Sequence, residues 1–274
     1  MNTFKVVVAF TTATVVIFFL YPILMLMAFG AGGLFSAITD GSFLESLEVT
    51  FVIATVTAVI SVAFGTPFAY LLARYDFRLK AIVDTVIDIP IMIPHTIVGV
   101  MIILAFASTS GLGRYLSMIG ITPIDTLVGA VLAVTYLSST YTIRVVESAI
   151  KTISPDVELT ARTLGARPMF VFMHVVIPRI SRDIANGAML AWARAVAETG
   201  ALFIVAYYVY FNGRLVYPAS IFVYESYVGI GLSDAVKYSA ALVVIVFVVF
   251  AAFRLVLRHG RRNEGKDGTI AGSS

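Results

Sequence analysis

The chain has no cysteine, one tryptophan, three histidines and only 13% charged side chains among its 274 residues. Each scarcity removes a class of chemistry. Without cysteine there is no thiolate metal site and no cysteine nucleophile, and the redox compartment stays open. His95, His174 and His259 are scattered, lack HExxH spacing, and read as structural residues rather than metal ligands. A phosphate-cradling GxxxxGK[ST] loop is also missing, so the chain does not hydrolyse ATP by that mechanism and any ATP energy must arrive from a separate subunit.

What the chain has in abundance is apolar surface: 59% hydrophobic residues and a mean hydropathy of +0.96. A soluble domain holds roughly half apolar residues, so the solvent here is lipid. The apolar residues come in long uncharged blocks, each near the roughly 20 residues that a helix needs to cross ~30 Å of hydrocarbon. Such blocks run between Lys5 and Asp40, from Val49 to Ala73, from Ile89 to Gly113 and from Thr126 to Ile143. A fifth, Ile184 to Tyr208, encloses Arg194 and Glu198, and a sixth lies between Lys237 and Arg254. About six membrane helices follow, with both termini on one side. The first block exceeds the roughly 7–15 apolar residues of a signal peptide and reads as the first helix.

The basic residues fall on alternate connections. With a cytoplasmic N-terminus, Lys5, Arg74, Arg78, Lys80, Arg144, Lys151, Arg162, Arg167, Arg179, Arg182 and the basic tail lie inside, whereas only Arg114, Arg214 and Lys237 lie outside. That asymmetry places both termini in the cytoplasm. It leaves no surface for nucleic acid.

Three regions result: a first helix and outer loop (1–47), a core (48–258) with a cytoplasmic segment (152–178), and a polar, glycine-rich tail (259–274) expected to be disordered. There is no internal repeat. The third span opens with Asp84 and Asp88 and carries Pro90 and Pro94, which remove two backbone donors and should kink it. Such a helix either lines a pathway or is a bent packing helix. Outside, 108–123 reads as a loop with a short surface helix, and the tyrosines of 208–234 suit an interfacial aromatic belt.

The cytoplasmic segment carries the densest signals. Ser154 can cap a helix, Pro155 fits its first position, Asp156 and Glu158 favour its first turn, and Gly165 can end it in the left-handed conformation. Val157, Ala161 and Leu164 form one apolar stripe, with Asp156, Glu158 and Arg162 pointing elsewhere. A helix this short needs a partner surface. Its mixed charge favours protein over the lipid interface, and the following apolar run to a stop at Pro178 suits docking into a groove.

Here the sequence resembles the binding-protein-dependent ABC importer permeases, whose EAA motif reads EAAxxxG followed after nine residues by an apolar, x, apolar, Pro ending. Leu159, Thr160 and Ala161, then Gly165, then Val175, Val176, Ile177 and Pro178 keep that spacing. The departure is at the acidic position, which is Leu159, with Glu158 one residue earlier. Ala193-Arg194-Ala195-Val196-Ala197-Glu198-Thr199-Gly200-Ala201 is similar to the ARAxGExGA pattern of the molybdate, tungstate and sulfate permeases.

The resemblance implies a type I importer permease fold, multi-pass in the cell membrane. It also implies a second copy of the chain, two ATP-binding cassette subunits carrying ATP and Mg, an extracytoplasmic oxyanion-binding protein, and no cofactor in this chain. It puts coupling on Glu158, Leu159, Ala161, Leu164, Gly165, Ala166 and Pro178. Pro90, Pro94, Arg194, Glu198 and Gly200 are candidates for the pathway or for helix pairing. Arg194 and Glu198, four apart, can pair on one helix face, as either a functional or a packing device. The expected cargo is molybdate or tungstate; the alternatives are sulfate, thiosulfate or phosphate, or an ion-gradient-driven secondary transporter.

Overall fold

A computed structural model turns the uncharged blocks into helices and describes residues 3–109 and 111–270, with side chains up to 256. The first block is α1 (Thr3–Gly30), followed by a tight turn and α2 (Leu34–Ile38). The second is α3 (Gly41–Arg74). The third is divided into α4 (Lys80–Met92) and α5 (His95–Phe106), and the short helix expected after it is α6 (Gly113–Met118). α7 (Leu127–Thr152) is the fourth, and α8 (Pro155–Thr163), α9 (Pro168–Val171) and α10 (Ile177–Arg179) make up the connection after it. α11 (Ser181–Val196) and α12 (Leu202–Val205) share the fifth place. A hairpin of β1 (Val209–Phe211) and β2 (Arg214–Val216), then α13 (Ala219–Gly229) and α14 (Leu232–Ile270), complete the chain. Residues 271–274 of the expected tail lie outside the described residues, and the backbone of α14 is helical as far as Ile270.

Among the described residues, three stretches are long and apolar enough to cross a membrane: Thr3–Ile38, Gly41–Arg74 and Leu232–Val256. α4 and α5 together make a fourth, bent by 117°. α7 and α11 occupy the two remaining expected places but are less apolar or shorter. The reason is their position, because both are packed on α3 at the centre. There, Thr140 and Thr142 of α7 are buried and bond neighbouring backbone, to Ile87 O at 3.0 Å and Gly187 O at 3.0 Å. A central helix solvated by protein can be more polar than one facing lipid.

Small residues let these helices approach. A Cβ at Gly187 would stand 3.2 Å from Thr142 Cα, and one at Gly65 would stand 3.1 Å from the Ile143 side chain. Two buried clusters fill the resulting seams. One joins Val49, Ile53, Ala130, Val134, Ala195 and Leu202, and the other joins Leu72, Ile143, Val146, Ile150, Val176 and Ile180. α1, by contrast, is exposed along almost its whole length and packs on α14.

Two breaks in the central helices set up the site. Pro94 lacks an N–H and forces Ile93 into extended backbone (φ −97°, ψ 149°), so α4 ends there. Pro90, one turn earlier, stays inside α4 without breaking it. The second break, at 197–201, separates α11 from α12, so the expected fifth span is not one continuous helix. The hairpin was not anticipated. Its turn residues Asn212 and Gly213 both have positive φ (47° and 81°), the pattern of the two-residue turns that match strand twist.

Candidate functional site

The connection after α7 folds as its caps dictate. Ser154 Oγ accepts from the Asp156 N–H at 3.3 Å and Pro155 takes the first helical position. At the other end Gly165, at φ +93°, lets its N–H reach Arg162 O (3.0 Å) and the Ala166 N–H reach Ala161 O (3.1 Å). This double closure satisfies two carbonyls that a helix end would otherwise leave open, and it needs the left-handed conformation that glycine adopts freely. Ala166 therefore acts through its backbone.

Which face of α8 is buried differs from expectation. Glu158, expected to point away, is buried: Tyr70 Oη donates to its Oε2 at 2.6 Å and Arg74 Nε donates to its Oε1 at 2.6 Å. Arg74 Nη2 also donates to Ile153 O at 2.9 Å. At about 1.5 Å per residue, the 34-residue α3 is roughly 50 Å long, so its end projects past the hydrocarbon to meet this carboxylate. The ion pair fixes the rotation of α8. Val157 and Ala161 are half-buried beside it, whereas Leu164, the third member of the expected stripe, is 84% exposed and Leu159 is 59% exposed. Glu158, one position before Leu159, is the carboxylate that forms the ion pair here.

Pro178 does not stop the run after Pro168, because α10 continues through it to Arg179 and the helical path turns at Ile180 (φ −107°, ψ 12°). Its ring would clash with the carbonyl four residues back and it donates no hydrogen bond, and the preceding turn, Phe172–Val176, widens into a π-helix. Val176 and Ile180 are buried against α3 and α7, while Met169, Phe170 and Met173 remain exposed with Leu159 and Leu164.

The second constellation lies at the two helix breaks. Arg194 Nη2 donates to Glu198 Oε2 at 2.7 Å, so the pair read from the sequence does form. The structure adds His95, the residue after Pro94, whose Nδ1 stands 2.6 Å from Arg194 Nη2 and 3.1 Å from Glu198 Oε2. Glu198 Oε1 accepts from the Ala201 N–H at 2.9 Å, and its side chain is fully buried. Gly200 permits this meeting, since a Cβ there would lie 2.9 Å from His95 Cβ. Pro94 is beside the cluster in sequence; Pro90 is not among the contacts.

A third network went unread in the sequence. Arg144 of α7 donates to Asp88 (2.9 and 2.8 Å), to Asp84 (2.9 Å) and to Glu147 (2.7 Å), and Lys151 donates to Glu147 (2.7 Å). It clamps α4 to α7. The signal was available: two acids one helical turn apart on α4, and Arg144, Glu147 and Lys151 at three- and four-residue intervals on α7.

Residues 65–263 match the family of binding-protein-dependent transport system inner membrane components. The chain belongs to that family. The permease is 33% identical over 82% of its length, and 82% of the relative's, to the molybdate/tungstate transport system permease protein WtpB of Pyrococcus abyssi. It is 28% identical over 90% of its length, and 95% of the relative's, to the WtpB protein of Methanocaldococcus jannaschii. The structure of a bacterial alginate ABC transporter in complex with alginate pentasaccharide-bound periplasmic protein aligns over 95% of this chain and 94% of that one, with a TM-score of 0.73 and 15% identity. The fold is that of the type I importer permeases, in a multi-pass membrane protein. As an inner membrane component the permease is not itself the enzyme: ATP hydrolysis belongs to a separate ATPase subunit, and a binding protein delivers the solute.

Proposed function

We propose that this permease imports a tetrahedral oxyanion, molybdate or tungstate, as a pair of identical copies on two ATP-binding cassette subunits. ATP and Mg reside on those subunits, and this chain carries no cofactor of its own. The observation that carries the cargo is the 33% identity to a permease named for molybdate and tungstate across 82% of both chains. The Arg194–Ala201 pattern supports the same reading. The distribution of Lys and Arg supports cytoplasmic termini and a cytoplasmic α8.

Coupling follows from α8. Its inner face is bolted to α3 through Glu158, and its outer face presents Leu159, Leu164 and the apolar residues of the next turn to a groove on the ATPase. ATP-driven closure of the ATPase pair draws the two α8 segments together and rocks the spans into an outward-facing state; hydrolysis returns them. A pathway must release what it admits, so selectivity rests mainly with the binding protein.

Uptake of labelled tungstate into proteoliposomes holding the complete complex tests this reading. Import that depends on internal ATP, and that molybdate suppresses more than sulfate, thiosulfate or phosphate, is expected. Preferential suppression by one of the latter would reassign the cargo. Uptake that follows an ion gradient without ATP would reassign the class to secondary transport.

A further inference from the structure

Glu198 is a carboxylate with no exposed surface, held by three donors of different kinds. The Arg194 guanidinium and the His95 ring bracket Oε2, and a backbone N–H holds Oε1. A cation, an imidazole and an amide converging on two oxygens form a donor set that any small oxyanion could use. Access is one-sided. The side chain of Glu198 is 0% exposed, that of Arg194 18%, and that of His95 38%, so an arriving group meets the donors before it meets Glu198.

The cluster also sits at two helix breaks. His95 is the first residue of α5, directly after the 117° bend, and Glu198 lies in the break between α11 and α12, outside either helix. The Glu198 backbone is tethered at both groups: Ser220 Oγ donates to the Glu198 carbonyl at 2.9 Å, and the Glu198 N–H donates to Ala195 O at 3.2 Å. His95 Nδ1 faces two partners with opposite demands. The ring meets both when Nδ1 carries the proton: Nδ1–H donates to Glu198 while Nε2, 2.9 Å from Arg194 Nη2, accepts from the guanidinium.

We propose that Glu198 is a built-in anion occupying an oxyanion seat formed by Arg194, His95 and the Ala201 N–H. The travelling oxyanion takes that seat transiently as Glu198 withdraws, and the carboxylate expels it on its return. The proposal rests on the oxyanion reading above and adds the device that keeps a cationic site from retaining its cargo. Coulombic competition between two anions for one guanidinium makes occupancy short-lived. Without Glu198 the same donors would bind and hold.

The test is a gain of binding, which a merely structural ion pair would not produce. The complete complex, purified without the binding protein, is titrated with molybdate alone, sulfate alone and phosphate alone. Glu198→Gln is expected to bind at least one of them roughly tenfold tighter than the native complex, and to turn over more slowly. Adding Arg194→Gln to that variant should abolish the gain. Glu198→Asp, which keeps the charge but shortens the arm, provides a milder variant should Glu198→Gln fold poorly, and should give an intermediate gain. Binding unchanged for all three anions in a folded Glu198→Gln or Glu198→Asp complex overturns the seat, as does a gain that survives loss of Arg194. Failure of the underlying reading registers separately, as absence of oxyanion uptake by the native complex.

Discussion

Two carboxylates, Glu158 and Glu198, are held by similar chemistry in different settings. Each is buried, and each pairs with an arginine, the side chains being 10% and 10% exposed at Arg74–Glu158 and 18% and 0% at Arg194–Glu198. Glu158 joins the unbroken end of α3 to a helix capped at both ends, so its donors cannot move apart without dragging a helix. Glu198 and His95 lie at breaks. The same pairing therefore acts as a bolt in one place and can act as a latch in the other. Burial cost alone does not distinguish them; the continuity of the backbone behind each partner does.

The largest expected effect comes from pulling the bolt. Glu158→Ala leaves Arg74 without its carboxylate partner, and breaking a buried pair by removing one partner costs about 3–5 kcal/mol. ATP-dependent uptake should fall at least tenfold, and the thermal unfolding midpoint of the complex should drop. Arg74→Ala alone should do the same, and the double variant should cost much less than the sum of the two. Additive costs would mean that the two side chains do not act together.

Gly165→Val attacks the other end of α8. A β-branched residue at φ +93° carries roughly 1–3 kcal/mol of backbone strain, although no neighbouring atom lies within 4 Å of an added Cβ. The expected outcome is ATP hydrolysis that persists while uptake falls, because the strained turn misplaces Leu164 but leaves the Glu158 contacts intact. Undiminished uptake per ATP hydrolysed would remove the coupling role of this turn. Leu164→Asp is gentler still. The side chain is 84% exposed, so the midpoint of the isolated permease should move by less than ~0.5 kcal/mol equivalent while co-purification of the ATPase drops.

Legibility in the sequence followed the range of the interactions. The caps of α8, the turn at Gly165 and the Arg194–Glu198 pair depend on residues within about four positions of one another, and each was readable from spacing. His95 joins a residue 99 positions away, and Tyr70 and Arg74 reach Glu158 across 88 and 84 positions, distances that periodicity does not span. For the same reason the apolar stripe through Leu164 misled. A stripe reports which face is apolar, and a distant arginine decided which face turned inward. The 117° bend was half legible: Pro90 and Pro94 look alike in sequence, and only Pro94 divides the helix.

The smallest effect sharpens the comparison from a third carboxylate. Asp40 caps α3, accepting from the Ser42 and Phe43 N–H groups at 2.9 and 3.3 Å, and also accepts from the Tyr238 hydroxyl. Like Glu158, which accepts from Tyr70, it has a tyrosine hydroxyl among its donors, but its donor set contains no guanidinium. The Tyr238 hydrogen bond, foremost, and then the two backbone N–H groups hold its carboxyl below the ordinary carboxylate value of 3.8, against the opposing effect of burial. A carboxyl depressed in the folded state stabilises the fold above its unfolded pKa, and that contribution is lost as pH falls through the folded value. Native protein should therefore show an acid-side loss of stability beginning near pH 4 and extending below it. Asp40→Asn, which keeps a capping oxygen but cannot ionise, should flatten that part of the slope and cost about 0.5–1 kcal/mol at neutral pH. An unfolding midpoint measured from pH 3 to pH 7 checks it: an unchanged acid slope in Asp40→Asn would mean that Asp40 titrates alike in both states, leaving the hydroxyl bond without electrostatic consequence.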